Sequence, residues 1–287
     1  MEDISHDPET ADFIIAGCRS RVIDLSRKIT NDGREFEANP HQIEYVDHEE
    51  SVRQIGAKLK SEGLWKDGLG GAVENITLTT HSGTHIDAPY HYGPLSGGEP
   101  ARTIDQLPLR WFIGNGVLLD FTHKLIGEGI EADEVQDALD AIGYRIQPFD
   151  VVLIRTDASR FFGEAGYPFK QPGLRRSATQ FLVESGVRLI GIDAWGLDRP
   201  FDVMVEEGRA GDKAQFWESH YYGHEQEYSQ IEQLCNLDQI PVAYGFTVFA
   251  LPILVDQASA AWSRVIAVVN ADSTSADKAA ATAYPKG

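Results

Sequence analysis

Cysteine is nearly absent from this chain: Cys18 and Cys235 are the only two in 287 residues. Two are too few for a disulfide framework, and neither has the close Cys or His spacing of a zinc finger, so both read as ordinary thiols. Long apolar runs are missing as well. No segment reaches the roughly 20 apolar residues of a membrane span, and the acidic start Met1-Glu2-Asp3-Ile4-Ser5 lacks the apolar stretch of a secretory signal. The expectation is a cytoplasmic protein. Positive charge is scarce: 25 Lys and Arg against 44 Asp and Glu leave a formal charge of −19. That excess speaks for solubility and against unaided binding to nucleic acid or an anionic membrane. There is no Gly-x-Ser-x-Gly elbow for a nucleophilic serine. The glycines Gly68-Leu69-Gly70-Gly71 lack the preceding strand and the spacing of a dinucleotide-binding turn.

Histidine is present in one dense cluster. Three of the nine histidines fall within the eleven residues from His81 to His91, beside Asp87. His81, His85, Asp87 and His91 are all odd-numbered, so on an extended chain they share a face. The β-branched Thr79, Thr80, Thr84 and Ile86, with Gly83 and Pro89, favour a strand running into a loop over a helix. Fully extended, the run from His81 to Asp87 would cover roughly 20 Å at about 3.3 Å per residue, too far for its side chains to meet on one ion. The chain must bend, and Gly83 and Pro89 are where it can. Imidazole and carboxylate are common ligands of catalytic metals, so the stretch is expected to form a metal site. A solvated histidine-rich loop, or buried histidines paired with Asp87, is the plainer alternative.

No linker or fixed-period repeat divides the chain, which is long enough for one domain with a full core. Apolar runs predict strands over 21–25, 116–120, 150–155, 187–193, 246–251 and 263–269, and helical spacing predicts helices over 131–142 and 175–185. Helix followed by strand twice implies a single-domain α/β fold with a mixed sheet flanked by helices. Residues 1–20 read as an N-terminal extension, 21–270 as the domain and 271–287 as a loose tail. Residues 49–64 suggest an amphipathic surface helix, and 195–217 a long irregular segment of the kind used for lids.

A second cluster follows at His220 and His224, with Glu225, Glu227 and Glu232 after them. The pattern His81-x-Gly83-Thr84-His85-x-Asp87-x-Pro89-x-His91 resembles the signature of the cyclase family that contains bacterial kynurenine formamidase and isatin hydrolase. Asp24-Leu25-Ser26, the strand ending in Arg155-Thr156, Gly191-Ile192-Asp193 and Ala250-Leu251-Pro252 resemble further landmarks of that family, in order. The resemblance implies His81, His85 and Asp87 as metal ligands and His91 as the group that moves the proton. In binuclear members a distal histidine and a glutamate twelve positions later complete the site. His220 with Glu232 has that separation, whereas His224 has Asn236 there. The implied cofactor is Zn²⁺ or Mn²⁺, one or two ions per chain, and the implied state a homodimer or larger oligomer.

The chain departs from the formamidase pattern in its pocket walls. The first loop of the formamidases tends to place a tryptophan against the substrate ring, whereas the nearest aromatic here after the opening strand is Phe36, the candidate substrate contact, and segments 37–72 and 195–217 look expanded. Trp195, Trp217, Tyr221 and Tyr222 could line an aromatic pocket or simply pack, and Asp193 and Asp198 could support the site or cap loops. The expected reaction is hydrolysis of an amide-type C–N bond, formamide or lactam, by metal-activated water. A lactone or ester hydrolase, a metal-dependent lyase or cyclase, and a silent binding protein remain open on the same residues.

Overall fold

Three apolar runs of the sequence lie side by side at the centre of a single sheet. The computed structural model describes residues 12–272 apart from 16, 32–40 and 62, so Phe36 lies outside the described residues, as do most of 1–20 and all of the tail beyond 272. In chain order the strands are β1 (Asp12–Ile15), β2 (Cys18–Asp24), β3 (Gln42–Val46), β4 (Val73–Thr77), β5 (His85–Asp87), β6 (Leu95–Ser96), β7 (Glu99–Pro100) and β8 (Ile113–Asp120). They continue with β9 (Gly129–Ile130), β10 (Val151–Arg155), β11 (Gly173–Leu174), β12 (Leu189–Ile192), β13 (Ser229–Glu232), β14 (Tyr244–Phe249), β15 (Ala260–Trp262) and β16 (Ile266–Asn270). The α-helices are α1 (His48–Leu59), α2 (Pro89–Tyr92), α3 (Ala132–Ala141), α4 (Arg176–Glu184), α5 (Phe201–Arg209) and α6 (Glu218–Tyr222).

The main sheet has ten strands in the order β1-β2-β16-β14-β8-β10-β12-β13-β5-β15. β8, β10, β12 and β13 are parallel. The flanking pairs are antiparallel on both sides. This is the expected mixed sheet, and it reaches back to Asp12, inside the stretch set apart as an extension.

Alternate residues of the parallel strands enter two different cores. Val117, Leu119, Val152, Ile154, Ile190 and Ile192 pack under α3 and α4, against Val135, Leu139, Leu182 and Val183. Leu118, Val151, Leu153 and Leu189 point the other way, into a core shared with Ile23, Ile86, Val248 and Ala267. Burial on both faces is why these strands read as unbroken apolar runs. The second core draws on both ends of the strand order because the sheet curls. Beyond β2, Arg27 N–H donates to Thr84 Oγ1 (2.9 Å), and Cys235 N–H donates to the Leu25 carbonyl (3.0 Å).

Two expected segments differ. α1 stops at Leu59, because Lys60 takes a left-handed conformation (φ 54°) and its N–H returns to the Gly56 carbonyl. Segment 195–217 is not wholly irregular, since it contains α5. Met204 is that helix's only fully buried residue, and the helix is short and set in a charged stretch, which concealed it. No helix among the described residues is long and apolar enough to cross a membrane, and Cys18 and Cys235 are free thiols.

Candidate metal centre

Strand register assembles the centre. β5 pairs with β13 so that His85 faces Glu232, Ile86 faces Ile231 and Asp87 faces Gln230. Side chains alternate along a strand, so His85, Asp87, Gln230 and Glu232 share one face while Ile86 and Ile231 enter the core behind it. His81 joins them through a bend: Gly83 has φ +61°, a conformation that favours glycine, and Ser82 N–H bonds the Thr79 carbonyl. Pro89 opens α2, and one helical turn carries His91 back over Asp87. Both expected bends are present. The extended part is shorter than the sequence suggests, however, and His91 lies on a helical turn rather than in a loop.

The donor atoms converge on the two carboxylates. Asp87 Oδ1 lies 2.8 Å from His81 Nδ1 and 3.3 Å from His85 Nε2. Glu232 Oε2 is 3.5 Å from the same His85 nitrogen. His91 Nε2 stands 3.7 Å from Asp87 Oδ2. His85 and Asp87 are fully buried, yet His85 Nε2 and Asp87 Oδ1 have no partner in hydrogen-bond geometry. Two such atoms facing each other beside a second buried carboxylate, Glu232, are costly without a cation. His85, Asp87 and Glu232 can offer ligand atoms to one ion, as can His81, Asp87 and His91. The residues therefore fit a divalent metal.

The charges show the same demand. Burial by itself would lower the His85 pKa, but Asp87 and Glu232 outweigh it and raise it to about 9. Burial would raise Asp87, and the surrounding His91, His81 and His85 instead hold it well below the usual carboxylate range. Glu232 is pushed up to about 7 by burial and by Asp87. His91 drops to about 4, through burial first and then the neighbouring histidines, so its imidazole is neutral at pH 7. Without a cation, the carboxylates draw protons onto the centre; a divalent ion would replace them.

His220 and His224, equivalent candidates by residue type, part company here. Asp198 accepts from Ser219 N–H (2.7 Å) and pairs with His220 Nδ1 (2.5 Å), so it both caps α6 and fixes the imidazole. Nε2 of His220 then faces the centre, 3.9 Å from Asp87 Oδ2 and 3.9 Å from Glu232 Oε1. His224 turns away to the Tyr92 carbonyl. Asp193 serves the sheet instead. It accepts from Thr156 N–H and Oγ1 and from Asp157 N–H, tying together the ends of β10 and β12. Burial raises its carboxyl to about 6.

A cavity of about 240 Å³ opens over the centre, walled by Trp195, Phe201, Met204, Trp217 and Pro168. Trp217 stacks on His220 (ring centroids 4.3 Å apart) and meets His91 edge-on. Tyr222 is core and Tyr221 lies at the surface outside the cavity, so of the four aromatic candidates the two tryptophans line the pocket. Sequence reasoning overlooked Gln171, Phe201 and Gln230. The Gln171 amide bonds the backbone of Trp195, Gly196 and Asp198, holding the loop in place. Gln230 had one available signal: two residues before Glu232, it must share that residue's face if the segment is a strand.

The Cyclase family model matches residues 23–199, which includes the His81 to His91 stretch. The chain belongs to the Cyclase family. A kynurenine formamidase of Bacillus cereus is 30% identical to this Cyclase-family chain over 143 residues, 49% of the chain and 60% of the formamidase. The Bacillus anthracis formamidase is 29% identical over the same length and shares. The matched stretch thus spans less than two thirds of these relatives. Among solved structures, an isatin hydrolase bound to the product analogue thioisatinate superposes with a TM-score of 0.69 at 20% identity, covering 88% of this chain and 93% of that one. Isatin hydrolase A from Ralstonia solanacearum gives 0.68 at 23%, covering 87% and 92%. These likenesses show that the Cyclase-family fold extends over most of the chain, well beyond residue 199.

Proposed function

We propose that this chain is a metal-dependent hydrolase that opens an amide-type C–N bond, formamide or lactam, in an aromatic substrate. The observation that carries the reading is the convergence of His81 Nδ1, His85 Nε2, Asp87 Oδ1 and Glu232 Oε2 in a buried site where His85 Nε2 and Asp87 Oδ1 make no hydrogen bond of good geometry. His81, His85, Asp87 and Glu232 would hold the ion, and imidazole with carboxylate accepts zinc or manganese alike. When bound, a divalent ion supplies water activated near neutral pH and polarises a carbonyl. His91, neutral and at the pocket wall, takes the proton from water and returns it to the leaving nitrogen. Trp195, Phe201 and Trp217 hold the flat substrate and exclude water.

The pocket's wall favours an uncharged ring over a substrate with an amino-acid side arm. Its arginine, Arg199, is already tied to Glu207 through two hydrogen bonds (2.9 and 2.5 Å). Kynurenine formamidase and isatin hydrolase relatives bracket the choice between open-chain and cyclic amides. Turnover of N-formylkynurenine and of isatin by metal-loaded protein, each with a chelator-treated control, is the test. Chelator-sensitive hydrolysis is expected, faster on the lactam. A metal-loaded protein inert towards formamide and lactam, but active on a lactone or in a water-free elimination, would replace this reading with the ester or lyase chemistry. Inertness to every class would leave a binding protein.

Cytoplasmic residence and a homo-oligomeric state belong to the same proposal. The free thiols support the first. Exposed Tyr45, Leu59, Val73 and Ile76 on α1 and the paired strands β3 and β4 support the second, and light scattering giving the mass of one chain would remove it.

A further inference from the structure

We infer that the Gln230 amide occupies the position a second ion would take, so that the centre holds one divalent ion per chain. The inference rests on the metal reading and deepens it. Each carboxylate of the centre divides its oxygens between two sides. Asp87 Oδ1 and Glu232 Oε2 face His85, and Oδ1 also faces His81. The other two oxygens face Gln230: its Nε2 donates to Asp87 Oδ2 (3.0 Å) and to Glu232 Oε1 (2.8 Å). His220 Nε2 approaches the same amide nitrogen at 2.8 Å.

Two carboxylate oxygens and an imidazole nitrogen converging on one point form a donor set for a cation. Here that point is already filled, by a neutral nitrogen carrying two N–H groups. The amide cannot be reversed at low cost, because its oxygen would then face two carboxylate oxygens. Gln230 is fully buried and fixed by its place opposite Asp87 in the strand register, so it cannot swing out without disturbing β13. His220, implied by the resemblance as a distal ligand, instead closes this side of the plug: Asp198 fixes its Nδ1, and its Nε2 stands against the amide nitrogen, whose two N–H groups go to the carboxylates. The first ion is left to His81, His85, Asp87 and Glu232.

The test is metal content per chain after saturation with Mn²⁺ and dialysis, with electron paramagnetic resonance of the same samples, for the wild type, Gln230→Glu and Gln230→Ala. The wild type is expected to hold one ion per chain with the spectrum of an isolated Mn²⁺. Gln230→Glu, which exchanges the N–H donors for a third carboxylate, is expected to rise towards two, with exchange coupling between the ions. Gln230→Ala opens the same space and checks the result if the glutamate variant does not fold. Two ions in the wild type would overturn the inference while leaving the metal reading intact. A single ion in both folded variants would show that Gln230 is not what bars the second. A wild type that retains no ion would remove the metal reading and the inference together.

Discussion

Asp87→Ala is expected to yield a folded protein that retains no metal and hydrolyses nothing above background. Asp87 lies within 3.7 Å of His81, His85 and His91, and its carboxylate supplies the negative charge that holds three imidazoles together. Loss of a group that merely orients a ligand lowers metal affinity by about 10- to 100-fold; loss of a charged ligand is expected to exceed that. The fold should survive, since the change leaves Gln230 one acceptor short, at about 1–3 kcal/mol. Metal analysis after dialysis, with circular dichroism on the same sample, decides it. Wild-type metal content in the variant would refute the role. The ion-free proteins should also differ in their acid response. Because the folded-state pKa of Asp87 is depressed, its contribution to stability is present above the ordinary carboxylate value of 3.8 and is lost as the pH falls through the lower folded value. The alanine variant lacks that component, so its denaturation midpoint should depend less on pH in acid.

The second large effect is expected from His91→Ala: metal content unchanged and kcat lower by about 10²- to 10⁴-fold, the usual worth of a positioned acid or base. His91 Nε2 is 3.7 Å from the nearer Asp87 oxygen and its ring meets Trp217 at the pocket wall, a position between centre and substrate. Its environment keeps it unprotonated at pH 7, the state needed to accept a proton. The measurement separates two roles that geometry leaves adjacent, because His81, Asp87 and His91 can also offer atoms to one ion. A variant that loses its metal along with its rate would make His91 a ligand. One that keeps both would give it no part in the chemistry.

Much of this centre was legible because its residues are close together in the chain. The spacing from His81 to His91, with Gly83 and Pro89 placed where the chain had to turn, announced both the donor set and its two bends. The apolar runs at 116–120, 150–155 and 187–193 were legible for a related reason: strands buried on both faces carry no polar alternation to obscure them. α5 was not, since it is a short helix with one fully buried residue, Met204, inside a charged stretch. α1 was placed but drawn too long, because the left-handed turn at Lys60 leaves no mark in apolar periodicity.

By itself, then, the sequence determined the clustering of potential metal donors in residues 81–91, the order of the central strands with α3 and α4 between them, and the family. Only the tertiary structure decided which distant groups complete the centre. His220 rather than His224 faces it because Asp198 holds the ring from behind, and Asp198 is brought there by a loop braced through Gln171. Gln230 enters because β13 pairs with β5 in one register; a shift by one residue would have turned Gln230 and Glu232 into the core and Ile231 towards the centre. Local spacing encodes what neighbouring residues can do together. Register and packing, which depend on the whole chain, choose their partners.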